Sequence, residues 1–106
     1  MITVTVSRRQ NSYISFTSRG HAGYAEEGQD IVCAAVSVLV INTVNSLEQL
    51  TKDHIEVKED DGYVSFTFME PITEGGTLLM DSLVLGLTEI QHSYSNRYLK
   101  VKVREV

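Results

Sequence analysis

His21 and Cys33, the chain's only cysteine, stand twelve residues apart in the stretch "GHAGYAEEGQDIVCAAVS". A free thiol ionises with a pKa of about 8.5, so only a few per cent of it is nucleophilic at neutral pH. A neighbouring imidazole can take the proton, which is the arrangement that covalent acyl transfer requires. Asp30 stands just before an apolar run and fits as a helix N-cap, its carboxylate accepting from first-turn N–H groups. Cys33 then falls at the third helical position. There the unpaired N–H groups and the positive end of the helix dipole favour thiolate over thiol. Asp30 opposes the thiolate by like charge, and can instead orient His21 or stabilise its cation. Ser37 follows Cys33 by one helical turn on the same face, where its hydroxyl can bond within the site or to its own helix backbone.

Each of these residues has a plainer reading. A lone cysteine is often a small buried apolar residue, and a lone histidine often a surface one. The joint arrangement favours chemistry, because a strand end delivers His21, a glycine-bearing loop folds back and a helix start presents Cys33. Gly20, Gly23 and Gly28 give that loop conformational freedom over a substrate. With few apolar anchors it should be poorly ordered or held away when empty, leaving His21 beyond hydrogen-bonding distance of Cys33. Metal binding by His21, Glu26, Glu27, Asp30 and Cys33 is disfavoured, since the spacing matches no structural zinc pattern. His54 and His92 lie in polar surroundings and read as surface residues.

The elements that must position this pair follow from periodicity. Ile2, Val4 and Val6 alternate with Thr3, Thr5 and Ser7; after the polar RRQNS turn, Ile14 and Phe16 alternate with Tyr13, Ser15 and Thr17. These predict a first hairpin, with Arg8 and Arg9 in a solvated turn. Ile55 and Val57, an Asp-Gly turn, then Val64, Phe66 and Phe68 predict a second. Leu99, Val101 and Val103 predict a fifth strand with Lys100, Lys102 and Arg104 on a basic outer face. Leu79, Leu83, Leu87, Ile90 and Tyr94 predict a helix from near Thr77 to about Ser95. Within residues 31 to 50 the β-branched VSVLVINTV favours a strand, but the segment runs some twenty residues without Gly or Pro. They are read as a second helix, apolar on most sides and therefore buried. The expected class is α+β, order ββαββαβ, a two-layer domain with two helices on one face of a largely antiparallel five-stranded sheet.

Composition sets the limits. The 106 residues suit one domain with one core and no disulfide or metal staple. Hydrophobic residues at 42% and charged residues at 22% exclude a disordered chain. The net charge of −5 argues against direct nucleic-acid binding, which needs a basic face. MITVTVS lacks the features of a signal peptide, and a single Cys makes no internal disulfide, so a cytoplasmic location is expected. Ile31 to Ile41 is short of the ~20 residues that span a bilayer, so no membrane is expected.

The motif "GHAGYA" followed by "GQDIVCAAVS" resembles the ribosomal-processing cysteine protease (Prp) family, and the resemblance extends over the chain. It implies a small homodimeric bacterial endopeptidase, without cofactor or metal, that removes the short N-terminal extension of a large-subunit ribosomal protein precursor. The family's catalytic histidine and cysteine fall on His21 and Cys33, with Gly20, Asp30 and Ser37 as supporting motif positions. It implies an acyl-enzyme mechanism, with backbone N–H groups near the helix start holding the oxyanion, and an apolar groove beside the loop. A competing class is a ribosome-associated binding module in which Cys33 is structural.

Overall fold

The computed structural model describes residues 1–106, whose elements follow the expected order. They are β1 (Ile2–Arg9), β2 (Ser12–Arg19), α1 (Ile31–Leu50), β3 (Ile55–Asp60), β4 (Tyr63–Phe68), α2 (Glu74–Tyr94) and β5 (Leu99–Glu105). The strands lie in the order β3-β4-β2-β1-β5. The pairs β1–β2, β2–β4 and β3–β4 are antiparallel, whereas β5 runs parallel to β1. The sheet is therefore mixed, with a single parallel pairing at one edge.

Period-two alternation sends Ile2, Val4 and Val6 to one face, where all three are buried. Phe16 and Phe66 pair across β2–β4 on the same face and stack with ring centroids 5.0 Å apart. Both helices cover this face. Val32, Val36, Val40 and Leu47 of α1 meet Met80, Leu83 and Leu87 of α2 in one buried cluster with the strands. Thr3, Thr5, Ser7, Thr17 and Arg19 line the opposite, uncovered face.

Four details depart from the periodicity. In the first hairpin Ser7 pairs with Ser15 but Arg8 with Tyr13, so Ile14 is the extra residue of a β-bulge. The bulge flips the side-chain parity: Tyr13 turns inward and is buried, and its hydroxyl donates to Asp81 of α2 at 2.5 Å. That contact and burial push the Tyr13 phenol up to about 12, burial being the larger cause.

Next, α2 begins at Glu74, three residues before the expected start, through a Gly75-Gly76 pair that propensity disfavours. The buried Asp53 carboxylate explains the second glycine, because a Cβ on Gly76 would collide with its Oδ2.

The α1 segment is helical despite its β-branched residues, since packing outweighs propensity. It is not buried all round, however. Ile31, Val38, Ile41 and Leu50 are each more than half exposed, because only one face of the helix reaches the sheet. The apolar run also continues past Ile41, giving a 20-residue helix long and apolar enough to cross a membrane. One of its faces packs against the sheet and α2 through Val32, Val36, Val40, Val44 and Leu47.

Candidate active site

Strand β2 ends at Arg19, and the chain then loops through residues 20–30 before α1 starts. Asp30 caps α1 as expected: Oδ1 accepts from the N–H groups of Val32 and Cys33, both at 3.0 Å. Its other oxygen does something the sequence does not reveal. Oδ2 accepts from the N–H groups of Tyr24 at 2.9 Å and Ala25 at 3.3 Å, tying the loop to the helix cap. Desolvation works to raise the Asp30 carboxyl, but the N–H groups of Cys33, Ala25, Tyr24 and Val32 outweigh it. They hold the carboxyl below its ordinary value.

The loop is better anchored than its glycines suggest. The Tyr24 ring meets Tyr94 and Tyr98 edge-on, with centroids 5.5 and 5.2 Å away. This aromatic contact, on the end of α2 and the approach to β5, was invisible to local composition. A further contact places the loop directly on the thiol, since the Ala22 N–H donates to Cys33 Sγ at 3.2 Å. Ala22 is itself buried, so the segment next to His21 is fixed against the helix start. Side-chain patterns cannot show such a residue, because its contribution is a backbone donor.

Cys33 is partly exposed and rests against the core on one side only. It opens onto two cavities. One, of about 290 Å³, runs between α1 and the β2–β4 end of the sheet and is lined by Val36, Val40, Ile41, Tyr63 and Val64. The other, about 450 Å³, lies under the loop beside Gly23, Glu27, Gly28 and Asp30. His21, Cys33, Ser37 and Asp61 line both, so the two form arms meeting at the sulfur. The first arm has the more apolar lining of the two. Its residues come from β1, β2, α1, β3 and β4, which only the fold brings together.

His21 shares both cavities with Cys33, and its Nε2 lies 3.9 Å from Asp61 Oδ1 at the tip of the β3–β4 hairpin. Gly20 donates its N–H to the Gly62 carbonyl at 2.7 Å, joining the start of the loop to that same tip. Ser37 is exposed toward the cavities, off the core side of α1. His54 and His92 are exposed and remote from the thiol, and His54 Nδ1 sits 2.6 Å from Glu70.

The expected oxyanion donors are already engaged. The N–H groups of Val32 and Cys33 go to Asp30 Oδ1, and that of Ala34 to the Asp30 carbonyl at 3.1 Å. The Ala22 N–H, poised on the sulfur, is the donor nearest the reacting atom.

A family model described as cysteine protease Prp matches residues 1–100. The ribosomal processing cysteine protease Prp of Bacillus subtilis (strain 168) is 34% identical over 103 residues, covering 91% of this chain and 92% of its own. The protein of the same name from Mycoplasma pneumoniae is 33% identical over 96 residues, covering 89% and 87%. The crystal structure of an essential ribosomal processing protease Prp from S. aureus, with a covalently linked product peptide, matches with a TM-score of 0.93. Its sequence is 25% identical, and the match covers 98% of this chain and 100% of that one. SMU.848 from Streptococcus mutans matches with a TM-score of 0.84 and 36% identity, covering 100% and 96%. A thiol at a capped helix start, open to a groove in a fold shared with these proteases, defines a cysteine protease. Within that class, the chain belongs to the Prp family.

Proposed function

We propose that this protein removes the N-terminal extension of a large-subunit ribosomal protein precursor, with His21 as general base and Cys33 as nucleophile. The observation that carries the reading is the Ala22 N–H on Cys33 Sγ. It fixes the residue after His21 against a sulfur that faces two substrate-sized cavities. The curated relatives are named for ribosomal processing, which supplies the substrate class.

The mechanism starts with transfer of the Cys33 proton to His21. The thiolate attacks the scissile carbonyl, and the oxyanion accepts from backbone N–H groups. Because Asp30 occupies the first-turn donors, the Ala22 N–H moves from sulfur to oxyanion as negative charge passes between them. His21 returns its proton to the leaving amine, and water, deprotonated by His21, releases the acyl group. The apolar arm takes the apolar side chains of the precursor, while Ser37 offers a hydroxyl to the peptide backbone. A second copy of the chain covers exposed apolar residues such as Val38 and Leu85, giving a homodimer. Sedimentation showing only monomer at micromolar concentration would overturn that assembly. Ribosomal precursors are made in the cytoplasm, and cell fractionation should find the protease there.

The test is incubation with a precursor ribosomal protein, followed by sequencing of the product's N-terminus. Cys33→Ala and His21→Ala should each abolish cleavage while preserving the circular-dichroism spectrum. The double variant should cost little more than either one, because residues acting as a unit are non-additive. Independent losses that add would count against the pair.

A further inference from the structure

We propose that Asp61, at the tip of the β3–β4 hairpin, is the positioning partner of His21, an inference that rests on His21 and Cys33 being base and nucleophile. The carboxylate nearest in sequence to the site is Asp30, but both its oxygens are committed to backbone N–H groups of the loop and helix. Asp61 reaches the ring instead, its Oδ1 lying 3.9 Å from His21 Nε2. Asp60, its neighbour, uses Oδ1 within the turn, accepting from the Asp61 N–H at 2.7 Å.

The hairpin tip is shaped to hold the imidazole. A Cβ at Gly62 would lie 2.8 Å from His21 Nε2 and 3.3 Å from Cε1, so a side chain there would push the ring from this position. Gly62 has φ +64, a left-handed conformation that also favours glycine. The Gly20 N–H to Gly62 carbonyl bond locks this turn to the residue preceding His21. The pairing of Arg19 with Tyr63 sets that register. Two chain segments some forty residues apart thus converge on one ring.

The orientation assigns the two nitrogens. With Nε2 toward Asp61, Nδ1 is left to receive the Cys33 proton. The S–H bond breaks, Nδ1–H forms, and a thiolate–imidazolium pair results. The Asp61 carboxylate faces the cation, and the proton later passes from Nδ1 to the leaving amine. In the free protein the side chains of His21 and Asp61 are 67% and 96% exposed, so water screens the pair. A peptide lying across both cavities covers the ring and excludes that water, which strengthens the attraction during turnover.

The experiment compares steady-state cleavage of a precursor-derived peptide by Asp61→Asn, Asp61→Glu, His21→Ala and the Asp61→Asn/His21→Ala double variant. Asp61→Asn should lower kcat about fivefold at unchanged KM, the size expected of a screened charge pair that tightens on binding. Asp61→Glu should recover most of the loss, and Asp61→Asn should add nothing in the His21→Ala background. An unchanged kcat in Asp61→Asn, with His21→Ala inactive, would overturn the role of Asp61 and leave the Cys–His reading standing. A rise in KM alone would place Asp61 against the substrate and not the base, and would also overturn it. Full activity in His21→Ala would sink both readings together.

Discussion

The two helices begin with the same chemistry and opposite outcomes. At α2, Thr73 caps Gly76 at 3.0 Å, and buried Asp53 backs it, accepting from the Thr73 N–H at 2.8 Å and hydroxyl at 2.6 Å. The space beside Asp53 is closed, down to the Cβ that Gly76 lacks. At α1, Asp30 caps in the same manner but spends its second oxygen on a loop. Beyond it lie a thiol and two cavities. One aspartate finishes a helix inside the body of the fold, while the other joins a helix to a segment the chemistry needs. A helix start serves a site when the groups its cap recruits belong to the substrate-facing surface.

Two substitutions can break this contrast. The largest effect should come from Asp30→Asn, where an amide replaces one accepting oxygen and releases either the loop or the cap. Cleavage should fall about tenfold or more, since small displacements of a base or oxyanion donor are costly, while the melting temperature changes little. Asp53→Ala should do the reverse. It leaves the half-buried Thr73 N–H and hydroxyl without that acceptor and should cost about 1–3 kcal/mol of stability, read as a lower urea midpoint, with kcat/KM of the folded enzyme preserved. A loss of turnover in Asp53→Ala, or none in Asp30→Asn, would erase the distinction.

The smallest effect is the acid limb of stability. Desolvation raises the Asp53 carboxyl, but the Thr73 hydroxyl and N–H, the Thr51 hydroxyl and the charge of His54 together hold it below its ordinary value. A carboxyl lowered by folding stabilises the protein above its unfolded pKa of about 3.9, and that contribution is lost as pH falls through the folded value. Stability measured from pH 5 downward should therefore decline less steeply in Asp53→Ala than in the parent. Parallel curves would show that Asp53 contributes nothing through its charge.

What could be read from the sequence was local. His21, Asp30 and Cys33 fall within one window, and capping and dipole rules act over a few residues, so the helix start and its thiol were legible. The period-two strands were equally so, until the bulge at Ile14 reversed one of them. Longer range defeats such rules. Nothing near His21 signals Asp61 and Gly62, which arrive through the pairing of β2 with β4. The α2 start was placed near Thr77 because the reason for Gly76, the Asp53 carboxylate, lies more than twenty residues earlier. The parallel lie of β5 on β1 follows from a crossover that no strand pattern encodes. Exposure of Val38 and Ile41 was missed because an apolar helix surface does not say what covers it.

The aromatic contact at the loop has an optical consequence. The chain has five tyrosines and no tryptophan, so no indole dominates its near-ultraviolet signal. Three of the five, Tyr24, Tyr94 and Tyr98, stand in one edge-to-face group, and Tyr24 is its one member from the loop of residues 20–30. The asymmetry that gives tyrosine its circular dichroism is thus concentrated where the loop meets the body of the protein. A displacement of Tyr24 from Tyr94 and Tyr98 would carry its own spectroscopic label, with no dye attached and no residue changed.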